Sequence, residues 1–417
     1  MDALLFKLLR AEIKRQQLTL DLIPSENIVS PEVLKILGSP LTNKYSEGYP
    51  WKRYYPGNKF YDEIEELAKA RALKAFGLKD GEWAVNVQPY SGSPANQAIY
   101  FALAKPGDVL MGLSLSNGGH LTHGHKVNFS GLVYRAVHYG LHPENGRIDY
   151  DTLEAAARRE KPKIIVSGAT AYPRIIDFKR IGTIAKEVGA YHVADISHIA
   201  GLIAGGVHPS PFLHADVVMT TMHKTLRGPR GAVIFSRKRQ ATGDKGQGVT
   251  ISEAIDRAVF PGLQGGPHNN VTAAIAWTFE EVKTPRFKKY ARQIVKNAGV
   301  LADALNKFGF KLVSGGTDNH LMLVDARNKG ISGSEAEALL ESAGIIANRN
   351  TVSGDATPFR PSGVRMGTPS VTSRGMKEKE MVLVAEFIHR LIDDRESSRA
   401  VRREVEKLCR KFPLPYR

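Results

Sequence analysis

His223 and Lys224 stand side by side in TTMHKTLRGPRG (Thr220–Gly231), where an apolar run gives way to a glycine-, proline- and arginine-rich loop. The run before them, HADVVMTTM, is dominated by β-branched and apolar residues and predicts a buried strand, and GAVIFS after them predicts another. Lys224 therefore falls in a strand-to-strand connection, where a lysine ordinarily points at water. Held in a desolvated site instead, it would lose its charge readily, and a neutral amine is a nucleophile toward carbonyls. Desolvation and the adjacent His223 are both expected to lower its pKa.

Three further stretches carry chemistry. In VADISH, Asp195 ends an apolar strand. A buried carboxylate needs a cation or a strong donor, and at the C-terminal end of a parallel strand a bound ligand is the favoured partner, with a satisfied structural role as the competing reading. In QPYSGSPAN, the turn Ser91-Gly92-Ser93 precedes a helical segment, with Ser93 suited to the N-cap and Pro94 to the first helical position. Such a helix start offers free N–H groups to a phosphate, although simple capping would read the same way. In NGGHLTHGH, His120, His123 and His125 lie close together without a matching carboxylate or cysteine nearby. The glycine flanks point to close approach of the backbone to a ligand rather than to zinc, so no metal is expected. A lysine, a carboxylate at a neighbouring strand end and a phosphate-binding helix start are together what pyridoxal phosphate needs. The amine condenses with its aldehyde, the carboxylate keeps its ring nitrogen protonated and the helix holds its phosphate.

The elements that must position these groups follow a βαβ rhythm. PKIIVSGAT reads as a strand, DFKRIGTIAKEVGA as a helix and YHVADISH as the next strand, which predicts an α/β fold with a mostly parallel sheet between helices. After about Asn270 the pattern changes to a long helix, two strands around a Gly-Gly turn in FKLVSGGTDNHLMLVDA, a helix near Ser334–Ser342, a polar loop over Asn348–Ser362 and C-terminal helices. The expected division is an N-terminal helical arm (1–17) packed on a partner surface, a large domain (18–275) and a smaller α+β domain (276–417). At 417 residues, with 42% hydrophobic and 24% charged, the chain can build both cores. Its one cysteine, Cys409, excludes internal disulfides and cysteine-based metal sites. The N-terminal stretch does not read as a signal peptide and no apolar run approaches a membrane span, so a cytoplasmic protein with no membrane partner is expected. The net charge of +16 is spread along the chain, and clusters such as SRKRQ and AVRREVEKLCRK lack interleaved aromatics. This favours a solvated surface over a nucleic-acid site.

With these residues in view, the chain resembles serine hydroxymethyltransferase, a fold-type I pyridoxal-phosphate enzyme, from about Leu18 to beyond Arg365. The resemblance is carried by SENIVSP, LTNKYSEGYP, KRYYPGN, NVQPYSGSPAN, GGHLTHG, VNFSG, ADISHIAGLIAGG, HKTLRGPRG, FPGLQGGP, VSGGTDNHL and SGVRMGTP. It implies a homodimer with shared active sites. It also implies reversible transfer of the hydroxymethyl carbon of L-serine to tetrahydrofolate, yielding glycine and methylenetetrahydrofolate. A polyglutamate tail on the folate would suit part of the basic surplus.

Carried onto this sequence, the resemblance makes Lys224 the lysine that binds the cofactor covalently and Asp195 the partner of the pyridine nitrogen. His120 stacks on the ring, and His198 and Thr170 contact its phenolic oxygen. Ser91, Gly92 and Ser93 bind the phosphate, reached by Tyr45, Gly265 and Gly266 from the other subunit, and Arg230 joins the cofactor contacts. Arg365 grips the amino-acid carboxylate, and Glu47 handles protons near the serine hydroxyl and folate from the neighbouring subunit. Tyr55 lies close to the substrate and Asn350 in the loop that meets the pterin. Thr221 and His223 stand with the catalytic residues, and Ser25 and Leu121 with those that bind substrate. The sequence departs from the family pattern at Met222, Thr170, Asn117 and Pro94, of which Met222 and Asn117 bear on substrate preference. The alternatives are a folate-independent pyridoxal-phosphate aldolase acting on threonine-like β-hydroxy amino acids, and a basic nucleic-acid-binding protein that kept the fold without the activity.

Overall fold

The structure, a computed structural model, describes residues 2–241, 248–355 and 359–416. Its larger sheet has seven strands: β1 (Trp83–Asn86), β2 (Val109–Leu113), β3 (Arg135–Tyr139), β4 (Ile164–Ser167), β5 (Tyr191–Asp195), β6 (Val217–Thr221) and β7 (Ala232–Arg237). They lie in the order β1-β7-β6-β5-β4-β2-β3. All neighbours run parallel except β7, which is antiparallel to both β1 and β6. The expected α/β architecture is thus present, with the antiparallel β7 following directly from the short connection that holds Lys224.

Strand register divides the apolar residues between the two faces. Ala194, Val218, Val233 and Phe235 join one buried layer, while Val193, Val217, Met219 and Ile234 join the other. Both faces are covered, which is why these strands read as nearly continuous apolar runs rather than as alternations.

The smaller sheet is antiparallel, in the order β8-β9-β11-β10, with β8 Lys311–Leu312, β9 Leu321–Asp325, β10 Asn348–Asn350 and β11 Gly363–Gly367. β10 occupies the start of the segment expected to be a polar loop, because its residues pair with β11 along one edge; residues 356–358 of that segment lie outside those described. A second core lies under this sheet, and it includes Leu20 and Leu22 because Leu20–Asp21 pairs in parallel with Ile345–Ile346. Helix α1 (Ala3–Leu18) carries no buried residue and exposes Leu4, Leu5, Phe6, Leu8 and Leu9. Helix α2 (Gly92–Leu103) packs against the large sheet. Helix α3 (Pro285–Lys307) joins the two cores, with Phe287 and Ile294 in the first and Leu301 and Leu305 in the second. The basic cluster after β7 is ion-paired at the surface: Arg239 to Asp216 at 2.7 Å and Lys238 to Asp80 at 3.0 Å.

Candidate active site

The parallel strands β4, β5 and β6 end together, and the residues just beyond them enclose a cavity of about 390 Å³. Thr170 follows β4, Asp195 and His198 follow from β5, and Thr221, His223 and Lys224 follow from β6. Crevices at the carboxyl ends of parallel strands are where open α/β sheets bind ligands. Helix α2 points its N-terminus at the same space through Ser91, Gly92 and Ser93.

The N-cap is Ser91, not Ser93, and Pro94 sits at the third helical position, where its missing N–H costs no helical bond. The Ser91 side chain makes no capping bond. The first-turn N–H groups are thus left to an anion in the cavity. Gly92 is needed for close approach, since a Cβ there would lie 2.8 Å from Thr221 Cγ2.

Asp195 is well supplied with donors. Its Oδ2 accepts from Asn96 Nδ2 at 3.1 Å and pairs with His123 Nε2 at 3.2 Å, while Oδ1 accepts the Ser197 N–H at 3.0 Å. Burial alone would raise its pKa, but the hydrogen bond and charge of His123, with His120 and Ser197, hold it well below the usual carboxylate range. His123 and Asn96 are the supporting residues that spacing alone missed. The carboxylate absent from the neighbourhood of the histidine cluster arrives from 72 residues further along the chain. His120 faces the cavity with Nδ1 accepting the Thr122 N–H and lying 2.7 Å from Thr122 Oγ1. Burial and the nearby His123 push its pKa down to about 4, so it is a neutral, oriented ring.

Lys224 Nζ donates to Thr221 Oγ1 at 2.9 Å, and the Lys224 carbonyl accepts from Asn27 Nδ2 at 2.8 Å. Burial pushes its pKa down to about 8; Asp195 opposes this, and the positive charges of Arg365 and Arg230 add to it. The expected contribution of His223 is corrected. Burial and the charges of Lys224 and Arg230 take His223 itself down to about 3, so it carries no charge with which to repel the lysine. The sign of the pH dependence follows. Below pH 8 most of Lys224 is protonated and inert, and above it the neutral amine dominates. The cofactor-free protein should therefore capture pyridoxal phosphate faster as pH rises from 6 to 8, by about tenfold per unit at the acid end, and then level off. Stopped-flow absorbance measures this; a rate still rising steeply at pH 10 would mean an ordinary, exposed lysine.

Arg365, on β11 of the smaller sheet, does not itself line the cavity but is bonded to two residues that do. Its Nη1 donates to the Thr170 carbonyl at 2.8 Å, its Nε to Asn348 Oδ1 at 3.0 Å, and its Nη2 reaches Ser25 Oγ at 3.5 Å. These acceptors are all neutral. Burial pushes its pKa down to about 10, so it remains charged at neutral pH. Thr170 in turn donates its hydroxyl to the Gly119 carbonyl at 2.6 Å. Ser25 and Arg230 also line the cavity.

Other candidates lie elsewhere. Tyr45 and Glu47 pack against Gly265 and Gly266, where an added Cβ would come within 3.2 Å of Glu47 Oε1 and 3.3 Å of Tyr45 Cδ1. Tyr55 stacks at a tilt on Tyr45, its ring centroid 5.7 Å away. None of these five lines the Lys224 cavity. Neither do Leu121, which is exposed, and Asn350, which lies on the edge strand β10. Met222 turns away from the cavity into the large core, and Asn117 bonds to Ser114 Oγ at 2.7 Å outside the cavity, so neither departure touches it.

The cavity fits pyridoxal phosphate: an anion-receptive helix start, an ionised carboxylate, a neutral imidazole and a lysine near neutrality converge on it, with buried His223 Nδ1 left unpartnered. Comparison with known proteins agrees. The family model described as serine hydroxymethyltransferase matches residues 1–388. A serine hydroxymethyltransferase of Acidothermus cellulolyticus is 53% identical over 424 residues, covering 99% of this chain and 96% of that protein. One from Desulfotalea psychrophila is 51% identical over 418 residues, covering 99% and 95%. With nearly its whole length matched, this chain belongs to the serine hydroxymethyltransferase family.

Proposed function

We propose that the cavity beside Lys224 is where this chain holds pyridoxal phosphate and transfers the hydroxymethyl carbon of L-serine to tetrahydrofolate, giving glycine and 5,10-methylenetetrahydrofolate. The observation that carries the reading is the convergence of Lys224, with its lowered pKa, ionised Asp195 and the Ser91–Ser93 helix start on one cavity, beside which Arg365 is bonded only to neutral groups, among them Thr170 and Ser25 of the cavity lining. A substrate carboxylate is the partner this guanidinium lacks, and the planar fork of arginine suits it.

When bound, pyridoxal phosphate supplies an aldehyde that takes up amines and a ring that accepts the electron pair released at the α-carbon. The chain does the rest. Lys224, whose amine Thr221 keeps in place, would hold the cofactor and would be the group that the amine of serine displaces. Asp195 keeps a proton on the pyridine nitrogen. Ser91, Gly92 and Ser93 receive the phosphate, and His223 and Arg230 border the cavity as further cofactor contacts. His120 would cover the ring, and Thr170 and His198, which line the same cavity, would contact its phenolic oxygen. Arg365, with Ser25, fixes the serine carboxylate and thereby decides which bond of the α-carbon is weakened.

The active unit in this reading is a homodimer. Tyr45, Glu47, Tyr55, Gly265 and Gly266 form a second cluster apart from the Lys224 cavity, and Trp51, Tyr54, Phe60 and the α1 residues Leu4, Leu5, Leu8 and Leu9 are exposed apolar surface. Both features support a partner that covers this surface and receives Glu47 and Tyr55 in its own cavity, where Glu47 moves the proton of the serine hydroxyl. Leu121 and Asn350 are assigned to the pterin side. In this reading the enzyme works in the cytoplasm. Among the described residues no helix is long and apolar enough to cross a membrane.

The test is turnover of serine with tetrahydrofolate, alongside a visible absorption scan. A new long-wavelength band that needs glycine and tetrahydrofolate together supports the reading; a response to glycine that ignores tetrahydrofolate overturns it. Arg365→Ala should lower kcat/KM for serine by about a hundredfold or more, mostly through KM, because each charge-assisted bond contributes about 1.5–3 kcal/mol. Arg365→Lys should recover only part of this. Steady-state kinetics at saturating tetrahydrofolate checks both.

A further inference from the structure

His198 and His320 meet in the interior. His198 lies beyond β5 of the large sheet, whereas His320 immediately precedes β9 of the small one. His198 Nδ1 and His320 Nε2 are 3.2 Å apart, and both side chains are almost wholly buried. The outer nitrogen of each ring, His198 Nε2 and His320 Nδ1, has no partner among the described residues. His198 lines the cofactor cavity and His320 does not.

Burial comes first among the causes that hold both imidazoles below their ordinary range, Lys224 and Arg365 adding to it for each, with His320 down to about 3. Both rings are therefore neutral, so each has one N–H and one lone pair, and the bond between them has two possible senses. If His198 donates, the outer nitrogen of His320 must carry an N–H buried with no acceptor, and the cavity meets only a lone pair of His198. If His320 donates, its outer nitrogen is a bare lone pair and His198, which lines the cavity, carries its N–H on its own outer nitrogen. Either sense leaves one buried N–H without an acceptor among the described residues: in the first it is that of His320, away from the cavity, and in the second that of His198, which lines it. The second sense leaves no donor unmet once an anionic oxygen occupies the cavity.

We infer that His320 is a positioning residue: its Nε2–H fixes His198 as the Nε2–H tautomer and so makes it a hydrogen-bond donor to an anionic ligand oxygen in the Lys224 cavity. The bond also ties the cavity to the small sheet, so the placement of one sheet against the other is felt at the ligand. The inference rests on the proposed cofactor site only for the identity of that oxygen, the phenolic oxygen of pyridoxal phosphate.

The test reads the tautomer itself. Long-range ¹H–¹⁵N correlation spectra of the cofactor-free, histidine-labelled protein, assigned with His198→Gln and His320→Gln, should show His198 protonated at Nε2 and His320 also at Nε2. In His320→Leu the His198 signals should shift toward a mixture of tautomers, and binding of pyridoxal phosphate, followed by fluorescence quenching, should weaken by about tenfold. His320→Gln, whose side-chain amide can still donate, should recover most of that affinity. Finding His198 protonated at Nδ1 in the unaltered protein overturns the inference, and that measurement needs no variant to fold. So does unchanged affinity in His320→Leu. If the tautomers are as stated but pyridoxal phosphate does not bind at all, the pairing stands and the proposed cofactor site falls.

Discussion

Lys224→Ala is expected to abolish covalent capture of pyridoxal phosphate and to lower serine turnover by about a thousandfold or more, the scale seen when a covalent nucleophile is removed. Among the described residues Lys224 is the only lysine that lines the cavity, and no described neighbour can take its place. The cost to folding should be small, because the side chain makes a single hydrogen bond, to Thr221, and its removal relieves a desolvated amine. The loop itself is held through the backbone: Asn27 binds the Lys224 carbonyl and is itself bound by Ser373 Oγ at 2.7 Å. The variant should thus still bind the cofactor, without a bond to it, and its absorption should resemble that of the free aldehyde. Added methylamine should return part of the activity. A variant that keeps both the band and the turnover of the parent protein would place the reactive amine elsewhere.

How far such a site can be read from sequence depends on how local its determinants are. Lys224, Asp195 and the Ser91–Ser93 turn were legible because each terminates a run whose period and composition announce a buried strand or a helix. The parallel strand order then brings those ends to one edge without further information. What was not legible is contact between distant segments. His123 looked unpartnered because its carboxylate comes from another strand end, and the charge beside Lys224 was assigned to the adjacent His223 when it belongs to Arg365, on another sheet. The N-cap was displaced by two residues because Ser91 and Ser93 both suit the position, and only packing of Gly92 against Thr221 distinguishes them. Met222 attracted notice as a departure beside the reactive lysine, yet strand alternation turns it into the core. Asn348–Asn350 is polar throughout, and its strand pairing is imposed by β11 rather than by its own residues.

Asp195→Asn should be nearly as damaging to catalysis as loss of the lysine, while changing the shape of the site hardly at all. The substitution conserves volume and leaves an oxygen able to accept the Ser197 N–H. It removes the one anion that burial would otherwise disfavour and that His123, His120 and Ser197 hold ionised. A pyridine nitrogen facing a neutral amide keeps no proton at neutral pH, and the ring then loses most of its capacity to accept electrons. Breaking a buried charge pair costs about 3–5 kcal/mol, and at about 1.4 kcal/mol per decade this corresponds to a fall in kcat of roughly two to three and a half decades. KM for serine should change little, since Arg365 and the Lys224 amine are untouched. In addition, the new amide must turn one N–H toward Asn96 Nδ2 or His123 Nε2, both of which now meet Oδ2. The double variant Asp195→Asn with Asn96→Asp separates the two effects. If lost charge is what matters, the second carboxylate, close to where the first stood, should return part of the lost kcat. If crowding of donors is what matters, it should restore thermal stability and leave kcat where it was.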